Sequence, residues 1–200
     1  EDFAYTINAS DLLQGYSDVE FSSLSLTNLQ VNNGAQITDN GNGTYTITPA
    51  ANYNGPIQIS YGVTDGTATT NATRSFTVNA VNDLPTLTSA QATLTAGTED
   101  VAYRVYTADL LQGFTDADGT LSISDTISVN QGSIVKSDDG TYYTITTPKD
   151  YNGNVQISYG VTDGIATTDA TRSFTLTSVN DAPELTGTPV TLSAGTEDFA

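Results

Sequence analysis

The chain has 200 residues, a formal net charge of −18 and five basic residues, and it contains no cysteine, histidine, methionine or tryptophan. Nucleic acids and anionic membranes bind through several Lys or Arg side chains, so we expect no nucleic acid and no direct membrane contact. The absence of His and Cys argues against the usual catalytic base, thiolate nucleophile, zinc site and disulfide framework. The carboxylates then either keep the chain solvated or bind hard cations.

One unit of 98 residues occurs twice along the chain. Glu1-Asp2 returns as Glu99-Asp100 and again as Glu197-Asp198, and residues 58–66 are identical to residues 156–164. Self-similarity at a fixed period is typical of a repeat array. A period of this length is long enough for each unit to form a domain.

A proline joint separates the units. Val81-Asn82-Asp83-Leu84-Pro85 returns as Val179-Asn180-Asp181-Ala182-Pro183, and proline cannot donate to a β ladder and favours an extended preceding residue. We therefore predict one repeat over residues 1–83, a second over 84–181, and the first strand of a third over 182–200.

Repeat 2 carries seven strand signals and predicts an all-β fold, with tandem antiparallel seven-stranded β-sandwiches of cadherin-like or Ig-like Greek-key type. A helical turn is expected at Asp109–Gly113, and Leu110, Leu111, Tyr159 and Phe174 are predicted core residues. The predicted strands are Leu87–Thr95, Ala102–Thr107, Leu121–Val129, Ser133–Lys136, Tyr142–Thr146, Val155–Val161 and Ala170–Thr177.

Threading seven strands up and down brings the recurrent acidic motifs to the domain ends. Several carboxylates would then meet at the central joint, and each like pair at about 4 Å costs on the order of 4 kcal/mol at an effective dielectric near 20. Calcium binds six to eight oxygens, whereas transition metals prefer nitrogen or sulfur ligands that this chain lacks. The expected set is Glu1, Asp2, Asn52, Asn82, Asp83, Asp116, Asp118 and Asp163.

The motif Asp116-Ala117-Asp118-Gly119 by itself is usually only a turn, and it lacks the later Glu of an EF-hand loop. It is the conjunction of this motif with the joint, the Glu-Asp pair and Thr162-Asp163-Gly164 that favours a calcium site.

These motifs resemble cadherin domains. The whole unit more closely resembles the cadherin-like tandem repeats of large bacterial RTX-type surface adhesins, which are exported by type I secretion. The resemblance implies calcium at every joint and an extracellular location on the bacterial cell surface. It implies Glu1, Asn82, Asp83, Asp116, Asp118 and Asp163 for the central joint, Glu99, Asp150, Asn180 and Asp181 beside Asp100 for the lower one, and Asp18, Glu20 and Asp65 for an upper one.

Two departures from this pattern matter. Glu20 stands where the second Asp of the D-x-D motif is expected and no Gly follows it, which weakens the upper site. Asn52 stands where repeat 2 has Asp150, so we expect the central joint to be less charged and weaker than the lower one.

The first functional hypothesis is a structural extender whose neighbouring repeats are held rigid by calcium. The alternative is a sugar- or protein-binding adhesion module, for which Phe21 and the segment Ser22–Leu29 are the best candidates. An enzyme is not expected.

Repeat 1 has no counterpart of Leu87–Thr95, and Leu185–Ser193 resembles that strand. We therefore expect head-to-tail strand exchange between copies by β-augmentation.

Overall fold

The structure is a computed structural model that describes residues 1–20 and 22–195. The chain divides into two compact units: Glu1–Leu84 with Asp116–Gly119, and Pro85–Thr115 with Thr120–Ala200. Nearly all of the regular structure is antiparallel sheet, which confirms the predicted fold class. No helix in the described part of the chain is long and apolar enough to cross a membrane.

The first unit consists of two three-stranded antiparallel sheets, with strand orders β1-β4-β3 and β2-β5-β6. The strand pair β5–β6 is in register over ten residue pairs, from Gly55↔Val78 to Thr64↔Thr69. Its elements are β1 (Tyr5–Asn8), α1 (Ala9–Leu13), β2 (Ser25–Val31), β3 (Gln36–Asp39), β4 (Thr44–Thr48), β5 (Gly55–Thr64) and β6 (Thr69–Val78).

The second unit repeats this plan and adds short strands. The sheet β13-β14-β9 corresponds to β3-β4-β1, and β15–β16 corresponds to β5–β6. Strand β8 joins β16 in parallel, and β7 pairs with β10. The elements are β7 (Thr86–Leu87), β8 (Gly97–Thr98), β9 (Tyr103–Tyr106), α2 (Thr107–Leu111), β10 (Phe114–Thr115), β11 (Ser122–Ile123), β12 (Ser128–Val129), β13 (Ser133–Lys136), β14 (Tyr142–Thr146), β15 (Gly153–Thr162) and β16 (Thr167–Thr177).

Each unit has its own apolar core, made by the inward-facing residues of its strands. Strand β15 buries every second residue, as expected for a strand with one face on the core: Val155, Ile157, Tyr159 and Val161 are all buried. Predicted core residues Leu110, Tyr159 and Phe174 are buried, and half-buried Leu111 packs against the same cluster.

A buried tyrosine fixes the helical turn in both units. The Tyr61 hydroxyl donates to the Leu12 carbonyl, and the Tyr159 hydroxyl donates to the Leu110 carbonyl, each at 2.9 Å. The acceptors are the carbonyls that a helix end leaves without an intrahelical partner. Burial raises the pKa of both phenols, so they stay neutral donors near neutral pH.

Two predicted strands are wrong in extent. The segment predicted as Leu87–Thr95 pairs only at β7, and β8 begins after it, because side chains and turns bind the backbone in between: Arg172 donates to the Ala92 carbonyl and Tyr103 to the Thr95 carbonyl. The segment predicted as Leu121–Val129 is split into β11 and β12 by a turn. Both pieces pair with β15, and the turn between them adds two residues relative to a continuous pairing. An insertion of two residues leaves the alternation of apolar residues unchanged.

The other predicted bounds are close. Strands β13 and β14 coincide with the prediction, while β15 and β16 begin two and three residues earlier than expected. The helical turn also begins two residues before Asp109. Residues 178–195 contain no strand, so the strand predicted at Leu185–Ser193 has no pairing partner among the described residues.

Candidate metal centres

Glu1 is buried in the first unit and is held at both carboxylate oxygens. It is 7% exposed. The Val81 N–H donates to Oε1 at 3.3 Å, and Asn54 Nδ2 donates to Oε2 at 3.5 Å. Its own backbone nitrogen donates to the Asn79 carbonyl at 2.9 Å. These contacts fix the carboxylate beside the segment that follows β6.

The D-x-D-G motif forms a turn that orients the carboxylates of Asp116 and Asp118. Asp116 Oδ1 accepts the N–H groups of Asp118 and Gly119 at 2.9 and 2.7 Å, as expected for an Asx turn. Asp118 Oδ2 in turn accepts the N–H of Asp83 at 2.7 Å. The turn therefore places Asp118 against the joint residue Asp83.

The result is an acidic cluster, which we call cluster 1: Glu1, Asp83 and Asp118. One carboxylate oxygen from each lies within 4.8 Å of the other two. Asp83 Oδ2 and Asp116 Oδ2 are buried and receive no hydrogen bond from the described residues. Burial, followed by the charges of Asp118, Asp2, Glu1 and Asp116, raises the pKa of Asp83. Buried carboxylate oxygens without donors are costly, and a hard cation would compensate them.

This donor set fits calcium. The charged groups of cluster 1 are carboxylates, and calcium binds carboxylate oxygens in irregular arrangements. Magnesium demands near-octahedral geometry and keeps its waters. The residues that would hold the ion are Glu1, Asp83, Asp116 and Asp118.

Asp2 and Asn52 make a contact in the first unit that Asp100 and Asp150 repeat in the second. Asp2 Oδ1 accepts the Asn52 N–H at 3.0 Å, and Asp100 Oδ1 accepts the Asp150 N–H at 2.9 Å. All four residues have left-handed backbone angles, with φ between 56° and 63°. Asp2 thus belongs to the surroundings of cluster 1 through its charge, while Asn52 presents its backbone to Asp2.

The joint asparagines turn their side-chain amides toward their own backbone. Asn82 Nδ2 donates to the Asp83 carbonyl at 2.7 Å, and Asn180 Nδ2 donates to the Asp181 carbonyl at 3.1 Å. Asn82 makes a further interaction as well. These contacts stiffen the backbone on which Asp83 and Asp181 stand.

Asp163 lies in the second unit and shapes a turn. Its Oδ1 accepts the N–H groups of Ile165 and Ala166 at 2.6 and 2.7 Å. Asp65 makes the same turn with residues 67–68, at 2.7 Å for both bonds. The Ala68 N–H and then the Thr67 N–H lower the pKa of Asp65. Neither aspartate belongs to an acidic group whose oxygens lie within 4.8 Å of one another, among the described residues.

The three carboxylates predicted for an upper joint, Asp18, Glu20 and Asp65, come together only in part. Asp18 and Asp65 line one cavity of about 170 Å³, and Asp18 Oδ1 accepts the Ser22 N–H at 3.0 Å. Glu20 is exposed and does not line that cavity. The structure therefore brings two of the three predicted carboxylates to one place.

A second acidic cluster, cluster 2, lies in the second unit: Asp100, Asp150 and Asp181, all exposed, with ligand oxygens within 4.8 Å of one another. A lysine lies beside it: Lys149 Nζ is 3.3 Å from Asp150 Oδ2 and 3.6 Å from Glu184 Oε1. The Asp150 carboxylate, followed by Asp181 and Glu184, raises the pKa of Lys149. Cluster 2 thus carries its own positive charge.

Glu99 repeats the setting of Glu1 but stays out of cluster 2. It is 3% exposed, and its oxygens accept the Val179 N–H at 2.6 Å and Asn152 Nδ2 at 3.0 Å. Its backbone N–H donates to the Thr177 carbonyl at 3.0 Å. Shorter hydrogen bonds compensate this carboxylate more fully than the corresponding bonds compensate Glu1.

Sequence reasoning missed the two asparagines that bind these glutamates. Asn54 and Asn152 belong to the Tyr-Asn-Gly motif that occurs at residues 53–55 and 151–153. The repetition of that motif was the available signal. An Asn that recurs at a fixed distance from a recurrent Glu is a candidate hydrogen-bond donor to that Glu.

Comparison with known proteins agrees with the fold. A family model described as the cadherin-like domain matches residues 1–79 and residues 81–177. The chain belongs to the cadherin-like domain family. A cadherin-like domain indicates an extracellular adhesion or structural module, which agrees with the coarser part of the predicted function and location.

Individual relatives are distant or short. Integrin beta-like protein E of Dictyostelium discoideum is 53% identical over 45 residues, which cover 22% of this chain and 2% of that protein. Human protocadherin-24 EC1-2 has a TM-score of 0.49 and 14% identity, covering 82% of this chain and 85% of that one. The endo-fucoidan hydrolase MfFcnA4 from glycoside hydrolase family 107 has a TM-score of 0.36 and 20% identity, covering 90% of this chain and 27% of that one.

Proposed function

We propose that this cadherin-like chain is a calcium-rigidified extender segment of a bacterial RTX-type surface adhesin. The observation that carries the proposal is a pair of buried carboxylate oxygens, one on Asp83 and one on Asp116, that receive no hydrogen bond from the described residues. They accompany the carboxylates of Glu1 and Asp118. Such a concentration of partly buried negative charge is costly, and a bound cation would neutralise it.

Calcium supplies positive charge at cluster 1 and joins residues that are far apart in sequence. Glu1 precedes the first strand, Asp83 belongs to the proline joint, and Asp116 and Asp118 belong to the D-x-D-G turn. An ion shared by these residues would oppose their separation, and this restraint would make the segment rigid. Extracellular modules bind calcium at about 10⁻⁴–10⁻³ M, so the segment would be ion-free at low intracellular calcium and loaded outside the cell.

The proposal extends to location and chemistry. An extracellular position on the bacterial surface provides the calcium that the site requires. We also propose that the chain is not an enzyme, because its whole sequence offers neither His nor Cys for acid–base or nucleophilic chemistry.

The test is a thermal melt of the full chain combined with small-angle scattering. Three conditions are compared: excess chelator, calcium, and magnesium at equal ionic strength. We expect the melting temperature to rise and the maximum dimension to become sharply defined with calcium only, because a ligand bound only by the folded state stabilises it. Equal curves in calcium and chelator would overturn the proposal.

A second candidate function, a sugar- or protein-binding module, has one observation in its favour. A polar groove of about 450 Å³ lies on the β2-β5-β6 sheet of the first unit. Asn28 lines it from the candidate segment Ser22–Leu29 and has a left-handed φ of 51° where the β2–β5 register shifts. Phe21 lies outside the described residues. Glycan-array binding that is lost in Asn28→Ala would favour this function over the extender.

A further inference from the structure

The sheet β13-β14-β9 of the second unit carries two aromatic rings and a positive charge on its outward face. Side chains alternate between the two faces of a strand. Val105 and Tyr143 are buried in the core, so Arg104, Tyr106 and Tyr142 lie on the outward face. Pairing of β9 with β14 sets Tyr106 directly opposite Tyr142. We call Arg104, Tyr106 and Tyr142 the tyrosine–arginine patch.

The first unit has short, uncharged polar residues at the same three positions. Its strands β1 and β4 pair in the same register as β9 and β14, so the sheet forms without the aromatic and basic side chains. The tyrosine–arginine patch therefore has a role other than building the sheet. The corresponding residues are Thr6 for Arg104, Asn8 for Tyr106 and Thr44 for Tyr142.

Tyr142 holds the other two side chains of the patch. The Arg104 guanidinium carbon lies 4.7 Å from the centroid of the Tyr142 ring, which is a cation–π contact. The rings of Tyr106 and Tyr142 meet edge to face, with centroids 6.3 Å apart and planes at 67°. Tyr142 is half-buried, whereas Arg104 is exposed and Tyr106 is 52% exposed. The patch thus presents one open ring and one guanidinium to the solvent.

The charge of Arg104 is not used within the described part of the chain. Arg104 makes no ion pair or hydrogen bond with the described residues, although the chain carries 23 acidic residues. By contrast, Lys149 contacts carboxylates, and Arg172 donates to backbone carbonyls. The N–H groups of Arg104 are therefore free, and their planar fork matches two oxygens of an anionic group.

An acidic sugar fits this combination of groups. Arg104 and Tyr106 are two residues apart on one strand, which separates them by about 7 Å. One sugar ring can therefore stack on Tyr106 while its carboxylate or sulfate contacts Arg104. Thr144, directly opposite Arg104, adds a hydroxyl on the same face. A second copy of this chain fits less well, because two copies with a net charge of −18 each repel one another.

We propose that the tyrosine–arginine patch binds an acidic saccharide, a sugar that carries a carboxylate or a sulfate. Arg104 pairs with the anionic group, Tyr106 stacks on the sugar ring, and Tyr142 positions both. The site uses no residue of cluster 1, of cluster 2 or of the groove that Asn28 lines. It therefore depends neither on calcium nor on the extender proposal.

The first experiment is a calorimetric titration of the full chain with four probes: a hexamer of galacturonic acid, a heparin-derived hexasaccharide, neutral maltohexaose and hexaglutamate. Excess chelator is present throughout, so that no calcium links a sugar carboxylate to an acidic cluster. We expect one saturable site for an acidic saccharide, and no binding of maltohexaose or hexaglutamate. The response to the first two probes distinguishes a carboxylate from a sulfate.

Variants of the patch test the role of each side chain. Arg104→Gln should weaken binding by about tenfold or more, because it removes charge-assisted hydrogen bonds. Lys136→Gln is the matched control: Lys136 is exposed on β13 and pairs with buried Tyr143, so its side chain starts from the other face. Tyr106→Asn should weaken binding by about two- to tenfold, the order found for aromatic contacts. Tyr142→Thr should weaken binding as well, and Tyr142→Phe, which keeps the ring, should restore it.

Amide chemical shifts locate the site. Saturation with the acidic saccharide should move signals of β9 and β14 and leave unchanged those of β1 and β4, which share the register but lack the patch. Thermal melts check that each variant is folded. Three results would overturn the proposal: no binding of either acidic saccharide, equal binding of maltohexaose or hexaglutamate, or equal losses in Arg104→Gln and Lys136→Gln.

Discussion

The two units are built from nearly the same sequence, yet their acidic clusters sit in different electrostatic surroundings. Cluster 1 combines a buried glutamate with carboxylate oxygens that receive no hydrogen bond from the described residues. Cluster 2 is exposed and lies beside Lys149. The motif places the carboxylates in both cases, and the neighbouring residues decide whether their charge is already compensated.

Two substitutions contribute to the difference in charge. Ala51 and Asn52 of the first repeat stand where the second has Lys149 and Asp150. The added carboxylate of Asp150 by itself predicts that the lower joint binds calcium more strongly. The structure adds the lysine, whose ammonium contacts that carboxylate at 3.3 Å. We therefore now propose cluster 1 as the stronger calcium site.

The second contrast between the units is the cover over β6 and β16. Residues 87–98 pack on the second unit, and no described residue takes their place on the first. Identical strands can therefore differ in burial.

The largest expected effect comes from removing a ligand of cluster 1. Changing a residue that merely supports a metal ligand typically lowers affinity by about 10–100-fold, so Asp118→Asn should lower the calcium affinity at least that much. Calorimetric titration measures the affinity. Asp138→Asn, the same charge change at an exposed turn residue, is the control and should leave it unchanged. Equal losses in both variants would mean that only net charge matters.

The next effect concerns the cover. Gly113→Ala forces a Cβ to within 2.6 Å of the Ser89 carbonyl oxygen, whereas Gly15→Ala meets open space with the same backbone strain. Overpacking typically costs about 1–3 kcal/mol, and we expect Gly113→Ala to lower the free energy of unfolding of its unit by that much more. Denaturant titration followed by hydrogen exchange measures the free energy of unfolding of each unit separately. Similar losses at both glycines would contradict this expectation.

A smaller effect is expected from the lysine of cluster 2. Lys149→Ala places the first repeat's residue in the second and removes an exposed ion pair, which is typically worth under about 1 kcal/mol. Calcium affinity at cluster 2 should therefore rise by about two- to fivefold, since 1.4 kcal/mol corresponds to about tenfold. Titration of the Asp118→Asn chain isolates cluster 2 for this measurement. A fall in affinity would mean that Lys149 positions Asp150 rather than opposing the cation.

The last prediction concerns the pH dependence of cluster 1. Burial and neighbouring carboxylates raise the pKa of Asp83 above its ordinary value of 3.8. Since the folded pKa exceeds the unfolded one, the associated stability is present below about pH 3.8 and is lost as pH rises through the folded pKa. In chelator, the first unit should therefore lose stability with rising pH in that window, while calcium affinity should increase because protons no longer compete. Asp83→Asn should abolish the stability change, and thermal melts across this window measure it.

Much of this molecule follows from local sequence pattern. Alternating Val155, Ile157, Tyr159 and Val161 predict β15, and Asp139-Gly140 predicts the hairpin between β13 and β14. The gathering of Glu1, Asp83 and Asp118 follows from counting strands between acidic motifs. The break of Leu121–Val129 into two strands does not, because an insertion of two residues preserves the period of the apolar pattern.

By itself, the sequence determined the repeat, the all-β class, the family and the carboxylates that the joints bring together. Those features depend on motifs, spacing and alternation, which are properties of neighbouring residues along the chain. Only the tertiary structure decided that one oxygen each of Asp83 and Asp116 receives no hydrogen bond from the described residues. It also decided that the Lys149 ammonium contacts the Asp150 carboxylate, and that Arg172, Phe174 and Leu176 are buried under a segment distant in sequence. Burial and charge compensation depend on residues distant in sequence, and the same strand acquires a different environment when a different segment lies over it.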